Sequence, residues 1–332
     1  MGHHKFYQQS PLIKLVPSRL AMFALAALTL LAVFCEPLGG QEPEAGLPGQ
    51  DKNFTLSLDV QLVALNVTVL DRKGSFVPGL SKENFQVFEN RQPQEIQLFS
   101  NEDVPLTIGL VVDSSGSMRD RRREVVSAAV AFVEASKPQD EMFVVNFNEE
   151  VQLGLAPDQP FSSSVPQLRE ALSRLVVRGQ TSLYDALWMA LEHLKKGHHD
   201  KKALVVFSDG ADNASKHSFR ETLAAAQRSQ ATIYSIGIYE STSEDRDPKS
   251  LKELSRATGG EAAFPQSIDE VETFCKQFAR TIRTQYTLGY SPSNTAKDGS
   301  YRALRVMASA PNLNKLTVRT REGYFAPKAA TP

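Results

Sequence analysis

Between Thr107 and Arg283 the sequence alternates short runs that are apolar throughout with longer runs that are apolar at every third or fourth residue. The short runs are Thr107 to Val112, Met142 to Phe147, Ala203 to Phe207 and Thr232 to Ile238. A strand with two apolar faces must be covered on both, as happens when helices pack on either side of a parallel sheet. The longer runs, Arg121 to Ser136, Pro166 to Leu175, Leu183 to Lys195, Ser218 to Ser229, Pro248 to Thr258 and Ile268 to Arg283, have helical spacing. Val125, Val126, Ala129, Phe132 and Val133 share one face of the first, which Pro138 closes. Apolar strands each followed by one or two helices predict an α/β fold: a doubly wound, mostly parallel sheet.

The flanks follow another rule. Leu56, Leu58, Val60 and Leu62 alternate with polar residues, then Leu65, Val67 and Val69 do so in the opposite phase, and Phe85 to Phe88 and Ile96 to Phe99 are short strands between turns. Strand-like sequence returns at Gln285 to Tyr290, Tyr301 to Ala308 and Lys315 to Arg319. So few short strands cannot cover their own apolar face. The economical arrangement is one small all-β domain built from 54–103 and 284–326, with the α/β domain at 104–283 inserted and a tail at 327–332.

Lys5, Lys14 and Arg19 precede an apolar run from Leu20 to Phe34 broken only by Thr29. A bilayer span needs about 20 such residues. The shorter run is expected to be a secretory signal within 1–40, with a retained N-terminal anchor as the alternative. The segment 41–53, rich in Gly, Pro and acidic residues, reads as a linker. Lys and Arg number 37 against 38 Asp and Glu, so nothing in the charge balance points to nucleic acid. If Cys35 leaves with the signal, Cys275 remains the sole cysteine, placed in a helix as a small buried residue.

Chemistry concentrates where the first apolar strand ends, at Val111-Val-Asp-Ser-Ser-Gly-Ser-Met118. In an extended backbone Asp113, Ser115 and Ser117 point to one side, and Gly116 lets the chain turn before a helix begins near Met118. One carboxylate and two hydroxyls are hard oxygen donors suited to Mg2+, Mn2+ or Ca2+. Taken alone, the pentapeptide reads equally as a serine-rich helix cap. Two further segments bear on that choice: Arg178-Gly-Gln-Thr181 before the Leu183 helix, and Phe207-Ser-Asp-Gly210 after the third strand. Loops beyond the carboxyl ends of parallel strands meet at a switch point, which would bring Asp113, Ser115, Ser117, Thr181 and Asp209 together as metal ligands.

In that order, Asp-x-Ser-x-Ser at 113–117, Gly-x-Thr at 179–181 and Asp-Gly at 209–210 resemble the metal-ion-dependent adhesion site of von Willebrand factor type A domains. The resemblance covers about Val104 to Arg283. The flanks, through Val67 to Asp71, Phe85 to Glu89, Tyr286 to Tyr290 and Gly323 to Phe325, are similar to exported von Willebrand factor type A-related proteins of Acidobacteria. The resemblance implies Ser115, Ser117 and Thr181 as direct oxygen ligands, and Asp113 and Asp209 as ligands directly or through water. It implies a protein ligand whose Asp or Glu carboxylate completes the coordination, and a protein exported to the periplasm, surface or medium of a bacterium. No enzyme activity is implied. A Mg2+-dependent phosphohydrolase using Asp113 would resemble its kind in a second Asp where Ser115 stands, and no phosphate loop or G-x-S-x-G turn is present. A structural module of an envelope assembly is the remaining alternative. The basic run Arg119 to Arg123 either steers an acidic partner or forms an exposed helical turn. Tyr184 and Trp188 read as core, and Glu240 to Asp247 as a loop that sets specificity. The Asn-x-Ser/Thr triplet at Asn213 has meaning only in a eukaryotic secretory pathway.

Overall fold

The computed structural model describes residues 62–174, 177–238, 246–310, 313 and 315–329. The expected signal at 1–40, the linker at 41–53, the alternation at Leu56 to Val60 and most of the loop at 240–247 lie outside the described residues.

In chain order, β1 (Val63–Leu70), β2 (Phe85–Glu89), β3 (Gln92–Gln94) and β4 (Ile96–Ser100) come first. Then follow β5 (Leu106–Asp113), α1 (Arg122–Glu134), β6 (Glu141–Phe147), β7 (Val151–Leu153), α2 (Val165–Ser173), α3 (Leu183–Leu194), β8 (Lys201–Ser208), α4 (Phe219–Arg228), β9 (Thr232–Gly237), α5 (Pro248–Thr258), β10 (Ala262–Ala263) and α6 (Ile268–Thr284). β11 (Tyr286–Tyr290), β12 (Tyr301–Ala308), β13 (Thr317–Arg319) and β14 (Gly323–Phe325) complete the chain.

The central sheet has the order β10-β9-β8-β5-β6-β7 and is parallel except for β7, which runs against β6. It is a doubly wound α/β sheet. Along β5, Ile108, Leu110 and Val112 pack with residues of α1, α2 and α6, while Val111 points the other way into a cluster with Leu187, Leu191, Leu251 and Leu254 of α3 and α5. The all-apolar strand is the consequence of that double coverage. Gly109 faces the second cluster, where a Cβ would collide with the Phe143 ring and lie 2.6 Å from Leu204 Cδ2.

The remaining strands form two four-stranded sheets, β13-β1-β11-β4 and β14-β12-β2-β3. Leu65, Val67, Val69, Tyr286 and Leu288 of the first share one apolar cluster with Phe85, Val87, Val306 and Tyr324 of the second. In both sheets a strand from before the α/β region pairs with one from after it: β1 with β11, and β2 with β12. The buried carboxylate of Glu89 is held here by the Tyr290 hydroxyl at 2.7 Å, the Tyr324 hydroxyl at 2.8 Å and Arg302 at 3.4 Å. Among the described residues no helix is long and apolar enough to cross a membrane.

Differences from the sequence-based expectations are local. β3, β7 and β10 are edge strands of two or three residues, too short to show periodicity. The helix expected from Met118 begins at Arg122, because Gly116–Met118 forms a 3₁₀ turn in which Met118 and Arg119 donate to Ser115 and Gly116, three residues back. Cys275 is fully buried, and burial pushes its thiol up to about 12, so it is inert packing. Tyr184 and Trp188 are only partly buried; Trp188 stacks flat on His217 at 4.1 Å.

Candidate metal centre

β5 ends at Asp113, beside β6 on one edge and β8 on the other. Just past it the Ser114 N–H and hydroxyl both donate to Phe147 O, at 2.7 and 2.8 Å, which fastens the loop to the end of β6. Asp113 Oδ1 accepts the Ser115 N–H at 2.9 Å, and Asp113 Oδ2 accepts the Ser208 hydroxyl at 2.6 Å. The Ser115 and Ser117 hydroxyls lie 3.0 Å apart. Asp113 and Ser115 are buried and Ser117 is exposed, so the loop has an inner wall and an outer mouth.

The second segment is tied to the first through its backbone. Gly116 N–H donates to Gly179 O at 3.0 Å, and Arg178 N–H to Ser114 O at 3.1 Å. Gly179 has φ +69, a left-handed conformation that glycine adopts without strain. Two residues on, Thr181 is buried. The third segment leaves β8, where Ser208 faces Asp113; Asp209 is buried next to it and its Oδ1 accepts Ala211 N–H at 3.0 Å. Gly210, with φ +87, lies against the Asp247 carbonyl at the start of α5. The structure thus brings the three segments that carry Asp113, Ser115, Ser117, Thr181 and Asp209 to one end of the parallel sheet.

Burial pushes the Asp113 carboxyl up to about 7, the adjacent Asp209 charge adds to the rise, and hydrogen bonds from Ser115 and Ser208 oppose it. Two buried carboxylates side by side concentrate negative charge at this end of the sheet. The Thr181 hydroxyl and Asp209 Oδ2 make no hydrogen bond among the described residues, and the Ser117 hydroxyl meets only that of Ser115. Oxygen donors left over beside a surplus of negative charge fit a hard divalent cation. Ser115, Ser117, Thr181 and the two carboxylates are the residues that would hold it. Bound there, the ion would supply a Lewis-acidic position facing the exposed mouth at Ser117.

Sequence reasoning missed the residues that brace these candidate side chains. Ser208 stands in the quoted Phe207-Ser-Asp-Gly210 stretch, yet its grip on Asp113 depends on β5 and β8 being neighbours. Asn213 was visible only as a glycosylation triplet. In the fold, Asn213 Oδ1 accepts Thr181 N–H at 2.8 Å, and Thr181 O accepts the N–H groups of Asn213 and Ala214, both at 3.0 Å.

Residues 108–211 match the family model of the von Willebrand factor type A domain. The match to this family runs from within β5 to just past β8. Among similar proteins, an uncharacterized protein of Synechocystis sp. is 21% identical over 223 residues, a match covering 66% of this chain and 52% of that protein. The chain therefore spans about half the length of that relative. Among solved structures, a von Willebrand factor type A protein from Catenulispora acidiphila is similar over 84% of this chain and 76% of its own, at 12% identity and a TM-score of 0.47. The vWF domain of the type V pili tip protein Mfa5 from Porphyromonas gingivalis is similar over 54% of this chain and 95% of its own, at 14% identity and a TM-score of 0.45. The matched residues of the type A domain include Asp113 to Ser117, Thr181 and Asp209.

Proposed function

We propose that this von Willebrand factor type A domain binds a divalent cation, Mg2+ by default, at Asp113, Ser115, Ser117, Thr181 and Asp209, and through it holds a carboxylate of a protein ligand. The observation that carries the reading is that the Ser115, Ser117 and Thr181 hydroxyls and Asp209 Oδ2, from three loops, accept no hydrogen bond from outside this set among the described residues and stand at the end of the sheet that holds the adjacent Asp113 and Asp209 carboxylates. Two carboxylates neutralise the ion's charge, while neutral hydroxyls leave it electrophilic enough to attract a third carboxylate at the open mouth. An ion of this kind accepts a ligand oxygen in place of water.

The role is one of holding rather than turning over. Asp113 has both oxygens engaged, by Ser115 and Ser208, and Ser115 occupies the place where a phosphohydrolase carries a second carboxylate. The apolar run at Leu20 to Phe34 supports export, so the ligand is sought in the envelope or outside the cell.

The test is capture from an envelope or surface extract by immobilised protein. Capture that requires Mg2+, is reversed by EDTA and is lost in Thr181→Ala supports the reading. Capture indifferent to both, or Mg2+-dependent hydrolysis of a generic phosphoester that Asp113→Ala removes, would overturn it.

A further inference from the structure

A cleft of about 540 Å³ opens beside the metal loop, lined among others by Ser114, Phe147, Asn148, Gln152, Leu155 and Arg178. Its charges are unevenly satisfied. Arg174, also on the lining, is paired with Glu170 at 2.5 Å, and the carboxylate of Glu150 accepts from Gln152 at 3.2 Å. Glu149, outside the cleft, is turned onto the Gln180 N–H at 3.3 Å and packs against Gly179. Arg178 is exposed and its side chain has no partner among the described residues. Its backbone nevertheless is fixed, since its N–H is bonded to Ser114 O, one residue from Asp113 and Ser115. Just past the metal loop along the chain, Arg119 is also exposed and unpaired among the described residues. In the cleft wall, Asn146 donates to Ala171 O at 3.2 Å, while its own Oδ1 is buried without a donor among the described residues. A buried acceptor left unmatched is an unfinished polar surface.

We infer that the ligand is an acidic peptide segment: one carboxylate meets the metal, the chain continues into this cleft, and a second carboxylate is taken by Arg178. The inference rests on the metal-site reading and adds the ligand's class and the residue that selects it. With the Arg178 backbone anchored to the metal loop, its guanidinium has a bounded reach from the proposed ion position, so it favours some spacings between two carboxylates over others. Its planar donors favour a carboxylate over a neutral amide. Arg119 adds long-range attraction for the same acidic segment.

The probes are capped alanine-based peptides carrying one Glu, or two Glu spaced two, three or four residues apart, titrated into the full chain with saturating Mg2+. At least one two-Glu peptide is expected to bind about threefold tighter than the one-Glu peptide, the scale of a partly exposed charge pair. Arg178→Gln is expected to remove that advantage while leaving Mg2+ affinity and one-Glu binding unchanged. Arg174→Gln, whose side chain already has a partner, is expected to keep it. If the one-Glu peptide binds but no second Glu helps, or if the advantage survives Arg178→Gln, the inference falls and the metal reading stands. If Mg2+ or the one-Glu peptide fails to bind, the metal reading falls and takes the inference with it.

Discussion

Asn213 grips the peptide units of Thr181 from both sides, its Oδ1 accepting the Thr181 N–H at 2.8 Å and its own N–H donating to Thr181 O at 3.0 Å. Thr181, one of the proposed ligands, is thereby held by a residue that is not among them. Outer residues that orient metal ligands typically contribute tenfold to a hundredfold in affinity. Asn213→Ala is therefore expected to weaken Mg2+ binding about tenfold, read by calorimetric titration, with little change in the far-ultraviolet circular dichroism spectrum.

A bound ion should also stabilise the fold. Because the three ligand segments come together only in the native state, binding adds stability by mass action, about 2.7 kcal/mol at a hundred times the dissociation constant. Thermal unfolding of the wild type should shift upward and saturably with added Mg2+. Asp209→Asn and Thr181→Ala should show a much smaller shift, and EDTA should return the wild type to its metal-free midpoint.

The fold was largely legible in the sequence, and so was the meeting of the three candidate segments at one end of the parallel sheet. The all-apolar runs at Thr107 to Val112 and Ala203 to Phe207 appear as β5 and β8, buried by helices on both faces. Pro248 and Gly259 delimit α5, with Asp247 capping its start, because proline suits a first helical position and glycine the left-handed end. What the sequence withheld depends on strand neighbours. Ser208 reaches Asp113 only because β8 lies next to β5, and Asn213 reaches Thr181 only because the loop after β8 folds over the start of α3. The cleft beside Arg178 likewise joins residues from β6, β7 and the segment before α3, which no local pattern links.

In the β sandwich, Arg302 and Glu89 form a buried pair, each with almost no exposed side chain. Removing one partner of such a pair leaves an uncompensated charge and costs about 3–5 kcal/mol. Arg302→Met should lower stability by that amount in urea unfolding. The double variant Arg302→Met with Glu89→Gln should recover part of it, because no lone charge then remains.

At the centre of the α/β sheet, Gly109 leaves room for the Phe143 ring against β5. Overpacking a dense core costs about 1–3 kcal/mol. Gly109→Ala should destabilise the protein within that range, and Gly109→Ala with Phe143→Leu should be less affected than the single change.

Asp185, at the start of α3, accepts the N–H groups of Lys216 and His217, both at 3.0 Å, and pairs with the His217 ring at 2.6 Å. Burial raises its pKa, but these hydrogen bonds and the His217 charge outweigh it and leave the carboxyl below its usual 3.8. A group depressed in the folded state stabilises the fold above its unfolded pKa, and that contribution is lost as pH falls through the folded value. The stability difference between the wild type and Asp185→Asn should accordingly be full at pH 7 and shrink below about pH 4, the unfolded range of a carboxyl. Denaturant midpoints across that range measure it.

The central claim is that one divalent ion sits among Asp113, Ser115, Ser117, Thr181 and Asp209. A crystal grown with Mn2+ and recorded at an anomalous wavelength tests it most directly. The account predicts a single strong peak about 2.0–2.4 Å from Ser115 Oγ, Ser117 Oγ and Thr181 Oγ1, the range of hard-cation oxygen bonds, lost in Asp209→Asn. A peak elsewhere, or none here while Ser115, Ser117 and Thr181 are well ordered, would contradict it.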